Sequence, residues 1–264
     1  MSGKLIEPGL EQVLEFCGRD PIERVFLEDV ARRGYGRFAG VVADADAGTL
    51  VALCHLGANL VPSGSGCQAF AEAAAGTGSR MIIGEERAVN ELWSTAAVLL
   101  PDPRADRPGQ PVYAITEPPE PGHTGLRPAA LDDLEALIPV CAASHELELG
   151  VDPLARDADA FRWRTRAQIT DGRSWVWFDE GGKVLFKAEA SAWTPAAIQV
   201  QQVWVDPSVR RKGYGARGMR DLIRLLLRSV PFVTLFVRTD NEPAIKLYES
   251  IGMTLVGHYR SLLF

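Results

Sequence analysis

Hydrophobic and polar positions recur most regularly in the second half of the chain. Over residues 128–145, Leu131, Leu134, Leu137, Ile138 and Cys141 fall at three- and four-residue spacing, which predicts a helix with one apolar stripe. Asp132, Asp133 and Glu135 stand near its start, where the helix dipole favours negative charge. Two β-rich runs, residues 174–178 and 183–193, flank a turn ending in Gly181 and Gly182 and read as a hairpin. Residues 198–205 follow as a third strand. After a basic turn at residues 210–215, Met219, Leu222, Ile223, Leu226 and Leu227 mark the buried side of a helix running to Arg228. A strand over 231–237, a helix over 243–251 and a strand over 254–259 complete this half.

The first half repeats the order faintly. Residues 37–42 and 49–56 read as a hairpin across a turn at residues 44–48, and residues 58–62 lead into Ser63, Gly64, Ser65 and Gly66. A helix, a strand over 80–83 and a second helix over 85–97 follow. The pattern predicts an α/β protein made of two copies of one unit, the first eroded. Between them, residues 100–125 hold Pro101, Pro103, Pro108, Pro111, Pro118, Pro119 and Pro121, a composition that resists both helix interior and central strand and reads as a linker. A short strand-like run at 112–116 interrupts it and can pair with either neighbour. The expected division is 1–118 and 119–264.

Composition agrees with a packed protein of this kind. The 264 residues are 47% hydrophobic and 23% charged, enough to bury a core. Lys and Arg number 28 against 34 Asp and Glu, so no overall positive field draws in nucleic acid or an anionic membrane. Cys17, Cys54, Cys67 and Cys141 form no C-x-x-C pair, and the four histidines show no metal-ligand spacing, so neither a disulfide framework nor a metal site is expected. Charge and proline interrupt the first eight residues, and a cytoplasmic location is the default expectation.

The chemistry concentrates where the third strand meets the following helix. Val205, Asp206 and Pro207 precede Arg210, Arg211, Lys212, Gly213, Tyr214, Gly215 and Ala216. Amides at a helix start lack internal partners, glycine at 213 and 215 admits an anion, and three basic side chains add charge, so the turn predicts a phosphate cradle. A Walker or dinucleotide loop is disfavoured, because the Lys-Ser/Thr pair and a third glycine are missing. A solvated basic turn that merely starts a helix is the plain alternative.

This motif resembles the signature of the GNAT family of N-acetyltransferases, Arg or Gln, two residues, Gly, one residue, then Gly or Ala, after a strand ending in Val-x-Pro. A second stretch, Asn241 through Ala244 and Tyr248 to Gly252 and Met253, is similar to another element of that family. The resemblance covers residues 124–264 well and the first hundred in outline. It implies two GNAT-like units, each a mixed, mostly antiparallel sheet flanked by helices, with the N-terminal one degenerate.

By that resemblance the backbone of residues 211–216 holds the pyrophosphate of acetyl-CoA, beside Arg210, and Val203, Trp204 and Val205 pair with the pantetheine in a gap between splayed strands. Asn241 would contact the pantetheine from the far side, or cap the helix that begins near Pro243. Ala244, Leu247, Tyr248 and Ile251 share one helix face, so Tyr248 is either core or, as the resemblance implies, the acid that protonates the leaving sulfur. A protonated amine must also lose a proton. The third strand offers Gln199, Gln201 and Gln202 where other family members carry a glutamate, and Gln201 can only orient a water. Glu189, on the hairpin, is the nearest acid along the sequence, unless it is simply a solvated strand residue. Glu146 and Glu148 fall in the region that borders the acceptor cleft in such enzymes. Ser63 to Gly66 occupy the corresponding place in the first unit without basic residues, and are not expected to bind coenzyme A. Trp163, Trp175, Trp177, Trp193 and Trp204 are read as core before pocket wall.

The activity implied is acetyl transfer from acetyl-CoA to a primary amine by direct attack in a ternary complex, without metal, nucleic acid or membrane; homodimerisation is left open. A non-catalytic acyl-CoA sensor is the rival, and a phosphate-binding module unrelated to coenzyme A a weaker one.

Overall fold

The computed structural model describes residues 4–43 and 48–264. The expected turn over 44–48 therefore falls mostly outside the described residues. The chain runs β1 (Lys4–Ile6), α1 (Leu10–Gly18), α2 (Val25–Arg32), β2 (Arg37–Val42), β3 (Leu50–Leu56), β4 (Asn59–Gly64), α3 (Ala71–Ala75), β5 (Met81–Glu85), α4 (Glu86–Ala96) and β6 (Ala105–Ile115). It continues β7 (Arg127–Pro128), α5 (Leu134–Leu149), α6 (Pro153–Thr170), β8 (Ser174–Phe178), β9 (Val184–Trp193), β10 (Ala197–Val205), α7 (Tyr214–Leu226), β11 (Phe232–Phe236), α8 (Glu242–Ser250) and β12 (Thr254–Leu263). Among the described residues no helix is long and apolar enough to cross a membrane.

All twelve strands join one sheet, in the order β1-β2-β3-β4-β5-β12-β6-β11-β10-β9-β8-β7. Exchange each strand of the first six for the one six places later and the same order is read backwards. The two parallel pairings, β4 with β5 and β10 with β11, are exchanged by the same operation. The duplication is thus written in the topology: each unit builds six strands, and each sends its last strand into the other's sheet. β6 lies between β11 and β12, and β12 between β5 and β6.

That exchange corrects the reading of the proline-rich segment. Residues 105–115 are a central strand, with Val112, Tyr113 and Ala114 each 3% exposed. The strand tolerates its prolines because Gly109, at φ 65, sits where the pairing with β12 slips, and because Pro111 still accepts from the Val237 amide at 3.1 Å.

Helices cover both faces of each half. α7 packs Met219, Leu222, Ile223 and Leu226 against Ala188, Ala190, Ile198, Val200 and Val233. Full burial of those four helix side chains contributes about 6–12 kcal/mol before entropy is charged against it. Gly218 lets α7 settle on β9, since a Cβ there would lie 2.6 Å from the Phe186 ring. On the opposite face α5 and α6 cover Val176, Val184 and Trp204. In the first half, α3 and α4 pack on one face and α1 and α2 on the other, the same arrangement. The sequence reading missed α1, α2 and α6; α6 is rich in charge, and its backbone breaks helical geometry at Asp157.

Candidate active site

The site begins where β10 leaves its neighbour. β10 pairs in parallel with β11 only from Ala197 to Gln199, opposite Phe232 to Thr234. Gln202 then takes a left-handed conformation, φ 52, at a bulge against β9, and the edge of β10 facing β11 is unpaired through Val203, Trp204 and Val205. A wedge opens between the two strands. An extended, amide-bearing chain can add to that free edge as a strand would. Trp204 turns away from it into the core beneath α5, 9% exposed, so only its backbone is available there.

At the end of β10, Asp206 makes the turn. Its carboxylate accepts from the amide of Ser208 at 2.8 Å and from that residue's hydroxyl, and pairs with Lys183 at 2.9 Å. The Ser208 hydroxyl first, and then Lys183, hold its pKa down to about 2. Arg210 donates to the Val205 carbonyl and Lys212 to the Ser208 carbonyl, each at 3.0 Å, so both cations brace the loop while staying exposed. Arg211 and Gly213 take positive φ, 60 and 83, and the chain enters α7. Among the described residues the amides of Gly213, Tyr214, Gly215 and Ala216 donate to no acceptor. Four open amides at the positive end of a helix suit a diphosphate.

The two glycines do different work. Gly213 has open space around it and is needed for its backbone conformation, whereas a Cβ on Gly215 would lie 2.8 Å from Leu247 and 3.3 Å from Val205. Gly215 therefore serves the approach of α7 to its neighbours, a packing role the sequence reading did not give it. The Tyr214 ring stacks on Trp177, centroids 5.0 Å apart, and Asn241 Oδ1 accepts from the Ala244 amide at 3.4 Å as a cap.

Tyr248 lies on the inner face of α8, within the core cluster of the C-terminal unit. It is 6% exposed beside Tyr113, and its hydroxyl meets no hydrogen-bond partner among the described residues. Burial first, and then the Glu148 charge, raise its pKa above the ordinary tyrosine value, so it holds its proton at any working pH.

A cavity of about 250 Å³ lies where the two units meet. Gln199, Gln201 and Gln202 of β10 form one wall with Ser191, and His145, Glu148 and Arg164 come from α5 and α6. Glu23, Phe26, Asn59, Met81 and Ile83 close it from the first unit, with Phe236 and Tyr259 between. Of the acids expected here, Glu148 lines the cavity, paired with Arg107 at 3.1 Å, while Glu146 is on the exposed surface. Glu23 and Phe26 were missed because nothing in the local sequence marks them; only the packing of α2 onto β9 and β10 brings them in.

Glu189 is neither solvated nor poised as a base. It is 4% exposed and contacts Lys187, itself fully buried, at 2.6 Å, with the Cys141 thiol 3.4 Å from each. Burial drives the Glu189 carboxyl up, but the Lys187 ammonium overrides it, and the pKa ends below the ordinary value. The tryptophans are mainly structural, as read: Trp175, Trp177 and Trp204 are buried, whereas Trp163 is 72% exposed and belongs to neither core nor cavity.

The first unit has the same parts in disabled form. Gly66, at φ 94, stands where Gly213 stands, but its amide and that of Cys67 already hold the Glu91 carboxylate, at 2.7 and 3.0 Å. Counted from each helix start, Leu92 of α4 takes the place of Tyr248 in α8.

Residues 142–253 match the profile of the Acetyltransferase (GNAT) family, and residues 37–137 match that of a domain of unknown function, DUF4081. The C-terminal unit belongs to the GNAT acetyltransferase family. A mycothiol acetyltransferase of Mycobacterium sp. (strain JLS) is 33% identical over 126 residues, which cover 39% of this chain and 42% of that relative, less than half its length. The mycothiol acetyltransferase of Mycobacterium leprae (strain Br4923) is 26% identical over 94% of this chain and 86% of its own. Among solved structures, a tandem GNAT protein from the clavulanic acid biosynthesis pathway shares the fold, with a TM-score of 0.58 at 14% identity over 98% of both chains. The GNAT unit therefore sits in a fold shared along the whole chain.

Proposed function

We propose that the protein transfers an acetyl group from acetyl-CoA to a primary amine, by direct attack within a ternary complex, at the C-terminal unit of residues 119–264. The observation that carries this reading is the wedge between β10 and β11, which opens beside the four free amides at Gly213 to Ala216. A diphosphate on those amides directs a pantetheine chain along the free edge of Val203 to Val205 and a thioester toward Tyr248. The chemistry then needs little beyond alignment, polarisation of the acetyl carbonyl, and a proton for the departing sulfur. Tyr248, unpartnered and protonated, supplies that proton.

The acceptor enters the cavity between the units. Its lining joins apolar Phe26, Met81 and Phe236 to polar glutamines and carboxylates, which suits a cationic amine with an apolar portion. The names of the mycothiol acetyltransferase relatives make a thiol-bearing amine of that kind a rational probe. The first unit, residues 1–118, acts as a wall of this cavity and takes no coenzyme A.

Acetyl transfer above an enzyme-free control, read as thiol release with alanine amide, glucosamine, spermidine and hydroxylamine and as the N-acetyl product with cysteine amide, tests the reading. Amine-dependent transfer is expected. Calorimetric binding of acetyl-CoA with no transfer to any of them would favour the acyl-CoA sensor, and no binding would end the proposal.

A further inference from the structure

An ammonium acceptor must shed a proton before it can attack, and the central strands of the C-terminal unit offer no receiver. Gln199, Gln201 and Gln202 cannot take one, and Glu189 is locked to Lys187. Among the described residues two carboxylates line the cavity, Glu23 and Glu148. Both pair with an arginine at 3.1 Å, Glu148 with Arg107 and Glu23 with Arg24, but the Glu148 side chain is 45% exposed and that of Glu23 only 17%, so Glu23 is the carboxylate shielded from water. Glu23 lies in the turn between α1 and α2. Its Oε2 accepts from the Ser63 hydroxyl at 2.7 Å and from Arg24 Nε at 3.1 Å, while its Oε1 meets no donor among the described residues. Its backbone carbonyl accepts from the Tyr259 hydroxyl at 2.9 Å, and the Tyr259 ring packs on Phe236, centroids 5.2 Å apart. Phe236 ends β11 at the mouth of the wedge. Contacts thus run from Glu23 through Tyr259 to Phe236, at the end of β11 where its pairing with β10 has ceased.

We propose that Glu23, supplied by the degenerate unit, is the catalytic base that receives the acceptor's ammonium proton. This rests on the acetyltransferase reading of the cavity. Glu23 Oε1 takes one proton from the ammonium, and the freed lone pair bonds to the carbonyl carbon. The C–S bond breaks, and the sulfur leaves with the proton of Tyr248. The nitrogen's remaining surplus proton restores Tyr248, and Glu23 returns its own to solvent.

The surroundings of Glu23 suit the task. Burial raises its carboxyl to about 7, against the pull of Ser63 and Arg24 and with the help of Asp20 and Glu85. Asp20 and Arg24 belong to its own segment, and Glu85 ends β5. Tyr259 is kept neutral by burial. Arg107, Glu148, His145 and Arg164 face it across the cavity. A base of that strength is available near neutrality and strong enough to deprotonate an acceptor whose own pKa the site has lowered.

The experiment uses Glu23→Gln in the full chain, with the fastest amine of the panel and with hydroxylamine, whose nitrogen is largely unprotonated at neutral pH. For the ammonium acceptor, kcat/KM should fall by about 10²- to 10⁴-fold. Hydroxylamine should be acetylated at nearly the wild-type rate, with acetyl-CoA affinity unchanged. The wild-type kcat/KM should decline below about pH 7, and that decline should vanish in Glu23→Gln. Equal losses on both acceptors, undiminished activity, or a decline that persists would overturn the proposal. Should Glu23→Gln fail to fold, Ser63→Ala decides: it removes a donor to the carboxylate, so the decline must move to higher pH, and an unmoved decline counts against Glu23. No acetyl transfer from wild type to any acceptor would overturn the acetyltransferase reading, and this proposal with it.

Discussion

Arg173 and Asp29 join the two halves of the molecule by a forked ion pair, Nη2 to Oδ1 at 2.6 Å and Nη1 to Oδ2 at 2.9 Å, with both side chains no more than 10% exposed. Asp29 lies on α2, the helix that also carries Phe26 to the cavity between the units, and Arg173 immediately precedes β8. The pair therefore fixes one wall of the cavity against the sheet of the second unit.

Removing one partner strands a buried charge. Asp29→Ala should cost about 3–5 kcal/mol in urea unfolding. It should also raise KM for the amine while leaving acetyl-CoA affinity nearly intact, because α2 touches the acceptor side and not the cradle. Equal effects on both ligands would argue against that division of labour.

The Glu91 carboxylate in the cradle of the first unit acts as a built-in anion. Titration calorimetry should find one acetyl-CoA per chain. Glu91→Ala leaves two amides without their charged acceptor and should lower stability by about 1–3 kcal/mol, with transfer activity retained. A stoichiometry of two in the wild type would show the first cradle to be open.

Tyr248→Phe should reduce turnover by roughly ten- to ten-thousand-fold, the span of a general acid, without weakening acetyl-CoA binding. Since burial raises this tyrosine above its ordinary pKa of 10.0, its ionisation should produce no loss of rate below that pH. Wild-type turnover in the phenylalanine variant would leave Tyr248 as a core residue.

Lys187 and Glu189 form a buried ion pair. Burial pushes each toward neutrality, but their attraction prevails, so the Lys187 pKa rises above 10.5 and that of Glu189 falls below 4.5. The raised lysine contributes stability that is present below pH 10.5 and lost as pH climbs past its folded value. The lowered glutamate contributes stability present above pH 4.5 and lost as pH drops through its folded value. The pair's contribution should thus be level between those limits. Lys187→Met alone should cost about 3–5 kcal/mol, and adding Glu189→Leu should recover much of it, as double-mutant unfolding would reveal.

Much of the C-terminal unit was legible along the chain, because its information is local. Periodicity located α7, the hairpin of β8 and β9, and α8 within a few residues. The loop at the start of α7 was readable because its two features, a glycine in a left-handed turn and open amides at a helix start, are properties of six consecutive residues. The exchange of β6 and β12 was not readable. The prolines of β6 argue against a central strand, and what overrides them is a slipped register at Gly109 with partners more than a hundred residues away.

The sequence by itself determined most of the helices and strands of the second half, α6 excepted, and the glycine turn and helix start where we propose a diphosphate binds, since hydrogen-bonding and backbone sterics act between near neighbours. Tertiary structure alone decided the fate of the acids. Glu189 is locked by a lysine two positions away only once α5 shuts water out above them, and Glu23 reaches the acceptor cavity only because the first unit folds over the second. Burial and the dielectric around a charge depend on the whole surrounding volume, and no single stretch of chain encodes that.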